Sequence, residues 1–402
     1  MTNIKIGIIR EDKNPPDMRV ALPPIVCQKI KEKFANVSLF VQPSKIRAFY
    51  DNEYSKIGIE LKEDLSDCDI LFGVKEVPKE NLIANKHYFF FSHTIKKQAY
   101  NRTLLQEILA KKIQLSDYEC LRYENGQRIL GFGRHAGIVG AYNAMIGYGK
   151  KLNLFDLKAA NKCKDFEEVK QEMKKVILPE NTKIVITGSG RVSNGAIEIL
   201  DLLGIQKITN RNEFVSNKYP NAVYFQATVK DYVKHNSKKE WEDIEFFKQP
   251  ENFEANFKDF LSVSDILISG HYWDPKSPIL FEKEDVAKDD FNVKLISDIT
   301  CDIDGSIPTT VRPCTIADPF YDFDAENLKD VAAFGNNKLT VMAVDNLPCE
   351  LPRDASEDFG NALFNEVIPY LLDDKDGRIK NASITKNGEL TAPYLYLSDF
   401  VK

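Results

Sequence analysis

The chain has 402 residues, 43% of them apolar and 28% charged, with a formal net charge of -6. That length allows roughly two or three domains with full hydrophobic cores, and the balance is that of a folded soluble protein rather than a disordered one. An acidic total gives no footing for nucleic acid, no run of about eighteen uncharged apolar residues offers a membrane span, and the seven scattered cysteines, none in a C-x-x-C pair, argue against a disulfide framework or a zinc site.

The N-terminal stretch "MTNIKIGIIREDKNPP" has no apolar h-region followed by a small-residue cleavage site, so a cytoplasmic location is expected. Its "IKIGII" reads as a strand, followed by the charged turn "REDKNPPDMR" and by "ALPPIVCQKIKEKF", whose apolar residues recur at helical spacing after the prolines. "SLFVQP" predicts a second strand, "DNEYSKIG" a short helix, "DILFGVK" and "HYFFFSH" two more strands, and "YNRTLLQEILAKK" a helix. Short apolar runs alternating with helices predict a parallel, doubly wound sheet, and such sheets bind ligands beyond the carboxyl ends of their strands. Lys75 and His93 fall at those ends, as does the loop carrying Arg19. Between Lys86 and Lys112 six Lys/Arg stand against the single acid Glu107, which fits either a basic cleft for a small anionic substrate or a solvated face.

The segment "FGRHAGIVGAYNAMIGYGKKLN" is helical in pattern but rich in small residues, as where a helix packs closely on another backbone, and it reads as a connector between lobes. After the helical "DFEEVKQEMKKVIL" the chain begins again with "PENTKIVITGSGRVSNGAIEILDLLGI", a strand, a tight glycine turn and a helix. Strands follow at "AVYFQA", "DILISG" and "VKLISDI", interrupted by a polar and aromatic insertion, and a last helix covers much of "SEDFGNALFNEVIPYLL". In the glycine turn, Gly188 and Gly190 allow close approach of backbone to a pyrophosphate, with Ser189, Arg191 and Val192 completing the loop at the start of the helix. The pattern is G-x-G-x-x-S-x-G, with Ser193 at the third fingerprint position and Gly195 beyond it. About twenty residues on, where an NAD site usually has an acid, the sequence "ITNRNEF" offers Asn210 and Arg211. NAD is the expected cofactor, and NADP stays open because an arginine there suits a 2′-phosphate; Glu213 is an alternative acid if the loop curls back.

Several motifs occur together and in order: "IGIIREDKNPPDMRVALPP", "ILFGVKEVP", "FFFSHTIKKQ", "RILGFGRHAG", "TGSGRVSNGA", "DITCDIDGSIP" and "VMAVDNLPCELPRDASEDFG". In them the chain resembles the lysine-forming saccharopine dehydrogenases and the lysine-ketoglutarate reductase part of the bifunctional lysine-degrading enzyme, within the superfamily of alanine dehydrogenase and the transhydrogenase alpha subunit. The resemblance implies an α/β protein of two Rossmann-like doubly wound domains separated by a cleft. A discontinuous substrate domain would take residues 1–135 plus about 345–402, and a dinucleotide-binding domain residues 136–344. It implies interconversion of saccharopine with lysine and 2-oxoglutarate, by hydride transfer with NAD(P) and imine hydrolysis or formation, in a form without a second saccharopine-oxidising module. Lys75 and His93 match the family's acid-base pair, Arg19 its carboxylate-binding arginine, Lys96 and Arg128 its further substrate cations, and Asp345 an acid near the cofactor. His271, in "HYW", is a candidate for lining the cofactor, as are Asp298 and Asp302, whereas His135 has no motif role. An alanine or opine dehydrogenase is the alternative, and a catalytically silent regulator of the same fold is a third reading. The expected partner is a small-molecule substrate, with no nucleic acid, membrane or metal; nothing in the pattern encodes an oligomeric state.

Overall fold

The computed structural model describes residues 3–13, 16–237 and 243–402. The chain divides into two compact units, Met1–Phe132 with Pro352–Lys402, and Gly133–Leu351. In chain order the first unit opens with β1 (Ile4–Ile8), α1 (Pro24–Lys33), β2 (Val37–Val41), α2 (Asp51–Lys56) and β3 (Glu60–Leu61). It continues with β4 (Ile70–Phe72), β5 (His87–Phe90), α3 (Arg102–Ala110) and β6 (Gln114–Asp117). Helix α1 starts where the sequence says it should: Pro24 sits in its first turn, where no amide is needed, and Val26, Cys27 and Ile30 form its buried stripe.

The second unit begins with α4 (Gly133–Leu152), α5 (Phe166–Met173), β7 (Lys183–Thr187), α6 (Arg191–Leu202), β8 (Gln206–Ile208), α7 (Arg211–Ser216) and β9 (Val223–Ala227). The insertion supplies α8 (Val229–Tyr232), a hairpin of β10 (Val233–His235) and β11 (Phe253–Ala255) around α9 (Asp243–Lys248), and α10 (Lys258–Val263). Residues 238–242 of that insertion, like Asn14 and Pro15 of the first turn, lie outside the described residues. The unit closes with β12 (Ile266–Ser269), β13 (Leu295–Asp298), β14 (Phe320–Asp324), β15 (Lys329–Val331) and β16 (Leu339–Met342). The chain then returns to the first unit with α11 (Pro352–Glu366), α12 (Ile368–Leu372), α13 (Arg378–Ala382), β17 (Ser383–Lys386) and β18 (Glu389–Leu390).

Each unit is an α/β layer structure on an eight-stranded sheet, with order β18-β17-β6-β5-β4-β1-β2-β3 in the first and β15-β14-β16-β13-β12-β7-β9-β8 in the second. The expected all-parallel sheets are in fact mixed: β17 and β18 join antiparallel beyond β6, and β14 and β15 join antiparallel beyond β16. The predicted last helix is two helices, because Val367 leaves helical geometry just before the Ile368-Pro369 start of α12.

Strand β8 follows α6 in sequence, yet β7 is flanked by β12 and β9, and β8 lies outside β9 as the edge. The physical reason is composition: β9 is VYFQA and almost wholly buried, whereas two of the three residues of β8, QKI, are exposed.

Candidate functional site

In the first unit β6, β5, β4 and β1 are adjacent and parallel, so their carboxyl ends share one edge of the sheet. The register sets Phe72 beside Phe89, and Lys75 and His93 follow these residues by a few positions. Lys75 is half-buried; burial lowers its pKa, and the nearby Arg19 charge adds to the effect. Its backbone N–H and that of Val74 both donate to the Glu11 carboxylate, at 2.9 and 2.7 Å. Burial pushes the Glu11 carboxyl up to about 8 despite those two bonds.

His93 adopts a left-handed backbone, φ 53°, a conformation that non-glycine residues hold only when their surroundings enforce it. Its Nδ1 lies 2.6 Å from Glu76 Oε1, and Lys13 Nζ donates to Glu76 Oε2 at 2.6 Å. Burial works against the Glu76 carboxylate, but the bonds from His93 and Lys13 outweigh it and bring the pKa down to about 2. An ionised Glu76 therefore fixes the imidazole orientation, as a carboxylate partner of a catalytic histidine does. Beneath lies an aromatic floor of Phe91, Tyr118, Phe132 and Phe359, with Phe132 and Phe359 stacked at 4.5 Å.

Arg19 is only 3% exposed. Its guanidinium is gripped by Asp17, with Nε–Oδ1 3.0 Å and Nη2–Oδ2 2.6 Å, and lies over the Phe132 ring at 4.2 Å. A substrate carboxylate at Arg19 would have to share it with Asp17. Lys96 and Arg128 converge on one acid: Lys96 Nζ is 3.5 Å and Arg128 Nη2 3.0 Å from Glu119 Oε1. The other oxygen of that buried carboxylate, Oε2, has no hydrogen-bond partner among the described residues.

In the second unit the glycine turn joins β7 to α6. Gly188 has φ +96°, and a Cβ there would stand 2.8 Å from His271 Cα. At Gly190 a Cβ would meet no protein atom within 4 Å, so the space above this residue is open to a ligand. Ser193 is buried, with Oγ donating to the Thr187 carbonyl at 2.8 Å. The close-packing role that a third fingerprint glycine usually has is instead taken by Gly195, whose Cβ would lie 2.0 Å from the Arg134 carbonyl oxygen of α4. Gly137 of α4 answers it: a Cβ there would stand 1.9 Å from the Val192 carbonyl oxygen. The small-residue helix read from sequence thus packs backbone to backbone on the helix of the glycine turn.

A cavity of ≈ 950 Å³ lies over this turn, lined by Gly188 to Val192, by Thr228, Val229 and Lys230 beyond β9, and by His271 and Tyr272 beyond β12. His271 Nδ1 is 2.7 Å from Thr187 Oγ1, its Nε2 has no partner among the described residues, and burial lowers its pKa to about 4. The volume, the open space at Gly190 and the exposed amides at the α6 start fit a dinucleotide.

The structure does not gather every predicted residue here. Asn210 caps α7, its Oδ1 accepting from Glu213 N–H at 3.2 Å. Arg211 stacks on Phe260 and donates to the carbonyls of Asp231 and Asn256 at 2.7 and 2.9 Å. Both follow the edge strand β8, one strand removed from β7, and neither lines the cavity. Asp298 is fully buried and accepts from Thr300 and Thr310, while Asp345 and Asp302 are exposed in turns. Sequence reading gave no role to Glu11, Asp17, Glu76 or Glu119. "V-K-E" contained the signal for Glu76, but a contact seventeen residues away cannot be read from adjacency.

Comparison with known proteins follows this geometry. The family model for the alanine dehydrogenase/PNT N-terminal domain matches residues 7–139. The chain is 30% identical over 438 residues to the alpha-aminoadipic semialdehyde synthase of Arabidopsis thaliana, covering 98% of this chain and 41% of that protein. It is 25% identical over 381 residues to the saccharopine dehydrogenase [NAD(+), L-lysine-forming] of Yarrowia lipolytica, covering 90% of each. Residues 7–139 match that N-terminal domain family, and over nearly its whole length the chain is similar to these two kinds of enzyme. It spans under half the length of the semialdehyde synthases, 41% of the plant protein and 47% of the mouse one. A solved L-alanine dehydrogenase superposes with TM-score 0.64 at 16% identity, over 99% of this chain and all of that one, which establishes a shared fold. No helix among the described residues is long and apolar enough to cross a membrane, and no group of three or more His, Cys, Asp or Glu among them could hold a metal ion.

Proposed function

We propose that the protein is a nicotinamide-dinucleotide-dependent oxidoreductase that interconverts saccharopine with L-lysine and 2-oxoglutarate. The observation that carries this reading is the strand-end pair of the first unit: a lysine with a lowered pKa, and on the neighbouring strand a histidine locked by an ionised glutamate. In the oxidative direction a dinucleotide held by the glycine turn would supply the hydride acceptor for the carbon bearing the secondary amine. Lys75 takes the amine proton, leaving an imine, and His93 takes a proton from the water that adds to the imine carbon. Collapse of the resulting carbinolamine breaks the carbon–nitrogen bond, with the proton returned to the departing amine of lysine.

Saccharopine carries three carboxylates; Lys13 reaches His93 through their shared partner Glu76, and Lys96 and Arg128, which meet at Glu119, are further cations suited to bind them. The unpartnered Glu119 oxygen is suited to accept from an ammonium. An alanine dehydrogenase activity uses a smaller substrate and has no need of Lys96 and Arg128. The test is an assay of saccharopine, of lysine plus 2-oxoglutarate, and of alanine against both dinucleotides. Turnover of saccharopine and silence with alanine are expected; brisk alanine turnover without saccharopine turnover overturns the proposal.

A further inference from the structure

We propose that the cofactor carries a 2′-phosphate, and that Lys230, not Arg211, reads it; this rests on the dinucleotide reading above. In sites of this kind the ribose next to adenine lies past the carboxyl end of the strand paired with the glycine-turn strand. An acid there accepts from its hydroxyls, and a cation there instead accommodates a 2′-phosphate. That strand is β9. Its carboxyl end is Ala227, and the chain continues Thr228-Val229-Lys230, three residues that line the cavity with the glycine turn.

The usual acid position is therefore filled by a neutral threonine, with an exposed lysine two residues on. The nearest acid, Asp231, does not line the cavity, and its Oδ2 is committed to the N–H and hydroxyl of Thr228 at 2.7 and 2.8 Å. Among the described residues the rest of the lining leans the same way: Arg191, Lys230, Lys248 and Lys276 against one acid, Asp274. A dianionic phosphate meets mainly cations there, whereas at the strand end itself the described lining residues Thr228, Val229 and Lys230 offer a bare ribose no carboxylate. Arg211 is excluded by position and by its two bonds to backbone carbonyls.

The test is calorimetric binding of NADP, NAD, 2′,5′-ADP and 5′-AMP to the full chain and to its Lys230→Ala and Lys230→Arg variants, each checked by circular dichroism. The wild type is expected to bind NADP at least about tenfold more tightly than NAD, and 2′,5′-ADP more tightly than 5′-AMP. Lys230→Ala is expected to weaken NADP and 2′,5′-ADP by about tenfold or more while NAD and 5′-AMP stay within about twofold, and Lys230→Arg to restore the preference. Equal or tighter binding of NAD, or an equal loss of both dinucleotides in Lys230→Ala, overturns the inference and leaves the dinucleotide reading standing. Failure of either dinucleotide to bind overturns both.

Discussion

Replacing Gly190 by alanine separates what the glycine turn does for the fold from what it does for a ligand. The backbone at Gly190 is extended, φ −85° and ψ −169°, a conformation open to any residue, and an added Cβ meets no protein atom within 4 Å. Stability should therefore stay within about 1 kcal/mol of wild type, the lost chain entropy of glycine offsetting the weaker helix cap. The methyl group would occupy the place of a phosphate oxygen. Loss of one charge-assisted bond from the backbone costs about 1.5–3 kcal/mol, or roughly ten- to a hundredfold in dinucleotide affinity. Gly137→Ala is the opposite case. Its Cβ would stand 1.9 Å from the Val192 carbonyl oxygen, so α4 and α6 must part by about 1 Å, an overpacking cost of about 1–3 kcal/mol or more. In a unit of this size each kcal/mol lowers the melting temperature by about 2–4 °C. Differential scanning calorimetry and dinucleotide titration of both variants provide the assay. Unchanged affinity in Gly190→Ala would refute the phosphate site, and an unchanged melting temperature in Gly137→Ala would refute the backbone-to-backbone packing.

Lys75→Met should lower turnover by about 10²- to 10⁴-fold with dinucleotide binding intact, and near-normal rates would return Lys75 to a solvated rim. Arg211→Ala should destabilise the protein by about 1–2 kcal/mol through its two carbonyl contacts and weaken NAD and NADP alike; a loss confined to NADP, measured by titration, contradicts its structural role. Glu350 accepts from Asn143 Nδ2 at 2.9 Å, and burial raises its pKa from an ordinary 4.5 to about 7. The native state thus holds a proton that the unfolded chain has released, so this group's contribution is fully favourable below about pH 4.5 and falls by about 3 kcal/mol as the pH rises to 7. Glu350→Gln should therefore gain on wild type in urea denaturation as the pH goes from 5 to 8, and a gap independent of pH would count against a buried, protonated Glu350.

The strands at "IKIGII", "SLFVQP", "DILFGVK" and "HYFFFSH" were legible because their apolar runs are largely buried, β4 throughout and β2 at alternate residues, and β4 and β5 lead directly to Lys75 and His93. Strand β6 escaped because it buries polar residues: Ser116 and Asp117 are fully enclosed, and Asp117 accepts from the backbone and hydroxyl of Ser92 and from Glu119 N–H. β14 hides in the same way, with Asp322 buried to receive Thr340 Oγ1 and Gly335 N–H. Polar pairs of this kind look like loop in one dimension and become strand only when their partners arrive. Asn210 and Arg211 fall outside the cavity lining for a related reason. Sequence order makes β8 the next strand, but the sheet places the more apolar β9 beside β7, and spatial order decides which loop meets a ligand.

The antiparallel edge of the first sheet also sets a timetable. β6 gains its outer neighbour only from β17, whose Thr385 Oγ1 donates to the Ile113 carbonyl across 272 residues of chain. On a ribosome the whole of Gly133–Leu351 can collapse while β6 is still an open edge, since that unit's strands are consecutive in synthesis. The unit that carries Lys75 and His93 is begun first and completed last, so a chain interrupted after residue 351 would hold both a finished glycine turn and an unpaired, aggregation-prone strand.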